Sequence, residues 1–425
     1  MSFPKYPEYK ESGVEWLGGV PQSWTVKRLG YYFTERREKV SDVDFEPLSV
    51  TKQGIVPQLE TAAKTDDNDN RKKVCAGDFV INSRSDRKGS SGISDRDGSV
   101  SLINTVLCPK EDVLGIFAHH LFRSIPFQDE FYRYGKGIVA DLWSTNYSEM
   151  KSIVLAVPPL PEQSAIAAFL GRETAKIDAL VAEQEQLVEL LKEKRQAVIS
   201  HAVTKGLDPN VPMRDSGVEW LGEVPEHWTV GAIKNFYEFL DGKRIPLSGE
   251  ERSSRSGEYP YYGASGVIDW IDDFIFDEDL VLVSEDGANL FCRSTPIAFV
   301  ARGKYWVNNH AHILRPSDNA LIYWAERIET IDLTPVLSGS AQPKLTSEAL
   351  ANIRIAIPPT YEERLDIQMF ISQEAEGIDA LVSQAQRAIT LLKERRSALI
   401  SAAVTGKIDV RGLVEPTPDN ALETP

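Results

Sequence analysis

SGVEWLG stands at residues 12–18 and again, letter for letter, at residues 216–222. Each copy continues with Val-Pro, two variable positions and Trp-Thr-Val, around Trp24 in the first and Trp228 in the second. A seven-residue identity containing Trp is not a chance event, so the chain is a duplication and the fold question becomes that of one half. A second shared block agrees. VPPLPEQ at 157–163 pairs with IPPTYEE at 357–363, and IDALVAEQEQLVELLKEKRQAVISHAVTKGLD at 177–208 pairs with IDALVSQAQRAITLLKERRSALISAAVTGKID at 378–409. Between the shared blocks lie two long segments, roughly 25–156 and 229–356, that look mostly unlike one another.

The long segments are not wholly unrelated. Asp78-Phe-Val-Ile-Asn-Ser83 matches Asp279-Leu-Val-Leu-Val-Ser284, an alternating apolar run that reads as one strand of a common scaffold. Other short β-type runs, IAFVA at 297–301, HAHILR at 310–315, SIVLAV at 152–157 and IRIAI at 353–357, are punctuated by Gly, Ser, Asn and Asp. Each segment is therefore expected to be a mixed α/β domain on a similar frame with different decoration.

The block that follows each Pro-Pro pair reads as one long amphipathic helix. Ile166, Phe169, Leu170, Ile177, Leu180, Val181, Leu187, Leu191 and Val198 recur at steps of three and four, with no internal Pro. Pro161 suits a first helical position and Gly206 a stop, while Thr360-Tyr-Glu-Glu363 reads as a capping box and Gly406 as the second stop. About 44 residues at 1.5 Å each give roughly 65 Å. A stripe of that length must bury against something, and the other copy is the natural partner, in an antiparallel coiled coil; the alternative, long surface helices each packed on its own domain, is kept open by heptad interruptions at Gln184 and Lys194. The fold class is thus α/β (α+β): two mixed α/β domains separated by a pair of long antiparallel helices, in pseudo-twofold halves. The boundaries are 1–157 for the first domain, 158–206 for its helix, 207–357 for the second domain, 358–409 for its helix, and 410–425 for a disordered tail.

Composition narrows the function. The chain has 425 residues, 47 Lys plus Arg against 63 Asp plus Glu, and a net charge of −16, which argues against coating DNA or anionic membranes by bulk charge. No apolar run is long enough to span a bilayer, the N-terminus lacks a signal-peptide core, and Cys75, Cys108 and Cys292 form no pattern, so they are expected as buried small hydrophobes in a reducing cytoplasm. The familiar catalytic motifs are missing: no phosphate loop, no GxGxxG after a strand, no HExxH, no GxSxG and no CxxC pair. His310 and His312 would share one strand face without a carboxylate nearby, so a hydrogen-bonding role is expected and no metal site. The acids at 269–279 fit no calcium loop and read as a solvated or edge-protecting face.

Local charge points elsewhere. Between Arg71 and Arg96 seven Lys or Arg face three Asp, and the loop at 82–92 combines Arg84, Ser85, Arg87, Lys88 and Ser91 with small residues. Arg forks and hydroxyls at such a loop suit guanine edges and phosphates. The stretch 300–315 carries Arg302, Lys304 and Arg315 with no acid, interleaved with Tyr305, Asn308, Asn309 and His310. Asn reads adenine, and aromatics pack on sugars or extruded bases.

Taken together, these motifs resemble the specificity (S) subunits of type I restriction-modification systems, the HsdS family. SGVEWLGxVPxxW opens each half, PPLPEQ leads into a helix with IDALV and LLKEKR, and GDFVINS with GISDRDGSVS is similar to a common first-domain type. YPYYGASGVIDWIDD at 259–273, VLVSEDGANL at 281–290, PIAFVARGKYWVNNHAHIL at 296–314 and SGSAQPKLTSEAL at 338–350 look like second-domain stretches of the family. The resemblance implies a non-catalytic subunit whose two target recognition domains each read half of a bipartite, asymmetric site on double-stranded DNA, in phage defence. The helices would set the spacer and dock two modification (M) subunits, which methylate adenine; restriction (R) subunits complete the complex. No cofactor is expected here, since S-adenosylmethionine, and ATP with Mg2+, belong to the partner subunits, and no membrane partner is expected in a bacterial or archaeal cytoplasm. The family stretches add Tyr261, Tyr262, Ser265, Asn289, Gln342 and Lys344 as DNA-binding candidates, with Lys136, Lys243 and Arg244 beside them. Glu363 in place of Gln163, and Tyr361 in place of Pro161, would make the two docking surfaces unequal. The acidic total implies that M subunits supply much of the phosphate clamp.

Overall fold

The computed structural model describes residues 3–60, 69–84, 87–137, 143–339 and 342–413. Ser85 and the end of the chain from 414 lie outside the described residues. Packing sorts the chain into two units, Met1–Glu185 with Arg387–Pro425, and Gln186–Gln386. Each unit thus takes its own α/β domain and one half of each long helix.

One frame underlies both domains. In the first, four antiparallel strands lie in the order Ser91–Ile93, Phe79–Asn82, Asn104–Pro109, Phe33–Glu35; in the second the order is Ala298–Ala301, Leu280–Ser284, Ala311–Pro316, Tyr237–Phe239. The matched run from the sequence is one of the two inner strands in each, fully buried as FVIN and as LVLVS. The alternation expected of these runs is absent: a strand buried on both faces needs consecutive apolar residues, which Phe79-Val-Ile81 and Leu280-Val-Leu-Val283 supply. A helix packs on each frame: Gly115–Arg123 through Phe117, Ala118, Leu121 and Phe122, and Leu321–Glu329 through Tyr323, Trp324 and Ile328. The decoration differs. The first domain adds a three-stranded sheet and a hairpin (Leu48–Thr51 with Gly54–Pro57), whereas the second adds a four-stranded sheet built on the pairs Ser256–Gly263 with Gly266–Ile271 and with Lys304–Val307.

The long helices run Leu160–Lys205 and Tyr361–Val404. Ion pairs show their antiparallel course inside each unit: Arg396 to Asp178 (2.8 Å) and Lys393 to Glu185 (3.1 Å) in the first, Arg195 to Asp379 (3.2 Å) in the second. The less exposed positions step by four and three through Ile177, Val181, Gln184, Val188, Leu191, Arg195, Val198 and Ala202, a coiled-coil seam. The second polar position in it is Arg195; Lys194, expected as the interruption, is exposed. The helix ends are not surface decoration, since Ile166, Phe169 and Leu170 enter the core of the first unit and Ile367 and Ile371 that of the second.

The twice-written Trp explains why the shared blocks travel together. Trp24 donates through Nε1 to Glu162 (2.8 Å) at the start of the first long helix, and its ring lies over Gly406, which ends the second. Trp228 donates to Glu363 (2.9 Å) and lies over Gly206. Both glycines have positive φ, +82° at Gly206 and +71° at Gly406, as a helix stop requires. Glu363 therefore matches Glu162, not Gln163: the second copy has one extra residue before its helix, and Arg364 takes the place of Gln163. Gln163 binds the Pro158 carbonyl (2.9 Å) and Arg364 the Pro358 carbonyl (2.5 Å), both buried. The expected Gln163-to-Glu363 exchange is thus a Gln163-to-Arg364 one, on buried side chains that face their own domains, while Pro161 and Tyr361 are both exposed. Only half of the capping box forms: Thr360 Oγ1 accepts from the Glu363 amide (3.3 Å), while the Glu363 carboxylate is engaged by Trp228 and His227.

The cysteines are less buried than expected: Cys75 and Cys108 are partly covered and Cys292 is exposed.

Candidate nucleic-acid interface

In the second unit the strands Ser256–Gly263 and Lys304–Val307 run parallel, so their last residues reach the same edge as the end of Leu280–Ser284 and the start of Ala311–Pro316. Four loops meet there. The Asn308 amide donates to the Tyr262 carbonyl (3.0 Å), Ser284 Oγ to the Ala264 carbonyl, the Glu285 amide to the His310 carbonyl (2.9 Å), and the Gly287 amide to the Pro343 carbonyl (3.1 Å). This edge gathers Ser265, Asn309, His310, Gln342 and Lys344, all exposed, with Lys243 exposed and Tyr262, Arg244 and Asn289 partly covered on the loops that lead to it. Glu285 sits at its centre, bound by Arg244 (2.5 Å) and Lys344 (3.1 Å). Its carboxyl is held below the ordinary range by these cations against the opposing effect of burial. His310 Nδ1 meets Asp286 (2.7 Å). The edge is therefore a set of cations held in place by carboxylates, able to donate to bases and phosphates without long flexible arms.

The structure separates the other candidates from it. Arg302 and Lys304 lie at the opposite end of the Lys304–Val307 strand, roughly 13 Å away along it. Arg302 pairs with Asp279 (3.0 Å), Arg315 with Glu278 (2.7 Å) and Glu238, and Lys304 lies over the Phe274 ring. Tyr261 and Tyr305 are 0% exposed and Asn308 6%, so these are core residues. Asn308 turns its Oδ1 to the His310 amide (2.8 Å) and shapes the loop. Asn289 closes its own turn through Ser294 and the Thr295 carbonyl. His310 and His312 do not share a face: His312 is buried, bound to Asp241 (2.6 Å) and to the Leu345 carbonyl (2.8 Å). Both histidines find carboxylates that sequence proximity did not reveal. The acids at 269–279 are mostly paired, Asp269 with Arg252 (3.0 Å) and Asp272 with Arg255 (2.9 Å).

The first unit builds the same edge from other residues. Arg84 and Lys136 both bridge to Ser144, as Asp286 and Ser338 both bridge to Lys344 in the second unit. The Thr145 amide binds the Ser83 carbonyl (2.9 Å), as Leu345 binds Glu285 (2.8 Å). Arg84, Arg87, Lys88 and Lys136 are exposed on these loops, Lys88 pairing with Asp129 (2.8 Å) and Lys136 with Glu149 (3.2 Å). Ser91 is buried within its strand and lies off the surface, because it begins a sheet edge covered by the hairpin and helix. Ser85 lies outside the described residues.

Sequence reading missed a cleft of about 820 Å³ in this unit, lined by Lys52, Lys88, His119, His120, Arg123 and Arg396. Its only sequence signal is His119-His120-x-x-Arg123 on an amphipathic helix. Among the described residues no group of His, Cys, Asp and Glu is arranged to hold a metal ion. No helix among them is long and apolar enough to cross a membrane.

Residues 225–389 match the family model described as type I restriction modification DNA specificity domain. The chain is 22% identical to the type I restriction enzyme MjaVIII specificity subunit of Methanocaldococcus jannaschii, over 95% of this chain and 98% of that one. By sequence and by fold, the chain resembles the type I (HsdS) specificity subunits over most of its length. A type I specificity subunit of Haemophilus influenzae, S.HindORF215P, is 32% identical over 149 residues, which is 34% of this chain and 36% of that one. HsdS of Thermoanaerobacter tengcongensis has the same fold, with a TM-score of 0.52 and 17% identity over 92% of this chain and 98% of that one. A chain from a structure of a type I R-M system describing its assembly and conformational transition gives a TM-score of 0.62 at 19% identity, over 91% of this chain and 98% of that one.

Proposed function

We propose that the chain is a non-catalytic DNA-specificity subunit of a type I restriction-modification complex, in which each domain reads one half of a bipartite site. The observation that carries this reading is the pair of loop edges: one frame is used twice, and the side chains it presents differ. Arg84, Arg87, Lys88 and Lys136 serve the first edge; Lys243, Arg244, Ser265, Asn309, His310, Gln342 and Lys344 serve the second. A protein that needed two equal sites would have kept the loops as it kept Trp24 and Trp228. The coiled coil sets the spacer, and its exposed apolar residues, among them Leu180 and Leu391, offer docking area to M subunits that bring S-adenosylmethionine and methylate adenine, with R subunits and their ATP completing the complex.

Exchange of residues 25–156 for another variable domain, followed by methylome sequencing of the host, tests the reading. One half of the methylated sequence changes and the other stays; an unchanged sequence refutes it. Four residues inserted near Glu185 lengthen the helix by about 6 Å and change the spacer by about two base pairs.

A further inference from the structure

The basic cleft of the first unit is not explained by the recognition edge alone. Arg123 hydrogen-bonds the carbonyls of Lys52 and Gln53 and lies 3.3 Å from His119 Nε2. Among the described residues no carboxylate pairs with Arg123, Lys52 or His120, whereas Lys88 and Arg396 are matched by Asp129 and Asp178 (2.8 Å each). Four cations thus face two carboxylates in a partly enclosed space, within a chain whose net charge is −16. Each makes the next more costly. Burial first, then Arg123 and Arg396, push His119 down to about 3 and His120 to about 4, and burial with Arg396 lowers Arg123 itself. The scaffold does not demand this. At the corresponding turn of the second unit the helix Leu321–Glu329 offers Glu326 to Arg195, the counterpart of Arg396. Like charges gathered against burial cost stability unless an anion shares the space.

We propose that this cleft holds phosphates of the DNA backbone as the duplex passes Arg84, Arg87 and Lys88, with Lys52 and Arg123 as the charged contacts and His120 as a neutral donor. This rests on the DNA-specificity reading above. Lys88 belongs both to the recognition loop and to the rim of the cleft, so a strand held at one is continuous with the other. The volume lies within the range of about 300–1,000 Å³ typical of ligand sites and takes a sugar-phosphate run as well as a single anion. A free phosphate or mononucleotide shares the chemistry, and the experiment separates the two sources.

The chain assembled with its M subunits is titrated, over a range of salt, with a duplex carrying the sequence methylated in cells that express it and with a duplex lacking that sequence. Lys52→Ala, at an exposed position, is expected to weaken binding to both duplexes equally and to make the slope of log K against log salt shallower by about 0.9, one phosphate contact. His120→Gln is expected to weaken both without changing the slope, because a neutral ring displaces no counterion. If the wild type prefers its sequence and both variants match it in affinity and slope, the cleft proposal is overturned. Absence of any preference in the wild type refutes the specificity reading instead. Shifts of the His119 and His120 ring signals with inorganic phosphate or AMP, alongside an unchanged DNA slope in Lys52→Ala, overturn the DNA assignment in favour of a small-anion site.

Discussion

The two units share a scaffold and differ in what they place on it. Arg396 with Asp178, and Arg195 with Asp379, are the same pair written 201 positions apart in sequence numbering, yet the first looks onto His119, His120 and Arg123 and the second onto Glu326. Duplication copied the backbone and the Trp–Glu joint; divergence then acted on loops and on the cleft side of one helix, where substitutions do not disturb the packed strands. The chain thus keeps a symmetric frame and presents an asymmetric surface.

The joint is where the symmetry breaks with the largest effect. Trp24→Ala and Trp228→Ala each remove a ring buried to 0% and 1% exposure, and each is expected to cost about 3–5 kcal/mol in chemical denaturation. The acids beneath them are not equal. Glu162 accepts from Trp24 and from Tyr6 (2.6 Å) while buried, whereas Glu363 is partly open to water and accepts from Trp228 and His227. Glu162→Ala strands two buried donors, at about 1–3 kcal/mol each, and is expected to destabilise more than Glu363→Ala. Equal costs would mean that the joints are energetically the same.

The unit-specific sheet of the second domain gives a smaller effect. Gly257 lies at a bulge where a Cβ would come within 2.4 Å of the Asp272 Cα and the Ile271 carbonyl oxygen. Gly257→Ala is expected to cost about 1–3 kcal/mol, read as faster amide exchange in the second unit only.

Acid separates the units further. His119 and His120 titrate lower in the folded chain than in the unfolded one, so their stability is present above about pH 6.5 and is lost as pH falls through 6.5 toward 4. Burial raises Glu326 and Glu329, so their contribution has the opposite sign: present below their unfolded value and lost as pH rises through the folded one. Between pH 7 and 5, amide protection in Phe117–Phe122 is expected to fall relative to Tyr323–Ile328. Parallel behaviour would remove the electrostatic contrast. The smallest effect belongs to the matched pairs: Arg195→Ala and Arg396→Ala are each expected to shift stability by about 0–1 kcal/mol, since exposed ion pairs are screened.

Much of this was legible in the sequence because it is local or repeated. The identity of SGVEWLG, the three- and four-residue spacing of the helices and the matched strand Asp78–Ser83 each reflect a backbone requirement that residue type reveals directly. The candidate site was only partly legible. Asn309, His310 and Lys344 sit on one edge as their loop character suggested, but Tyr261, Tyr305 and Arg302 carry the same residue types into the core or to the far end of a strand. Which end of a strand a residue occupies, and whether a parallel neighbour covers it, depends on pairing between segments some 45 positions apart.

The sequence by itself determined the duplication, the two long helices and their stops, because each is a periodic or capped pattern read within one segment. Only the tertiary structure decided that Glu363 answers to Glu162, that Arg364 replaces Gln163, and that Lys52, His119, His120, Arg123 and Arg396 converge on one cleft. Those relations are set by what packs against what, and a burial partner or an unmatched charge has no signature along the chain.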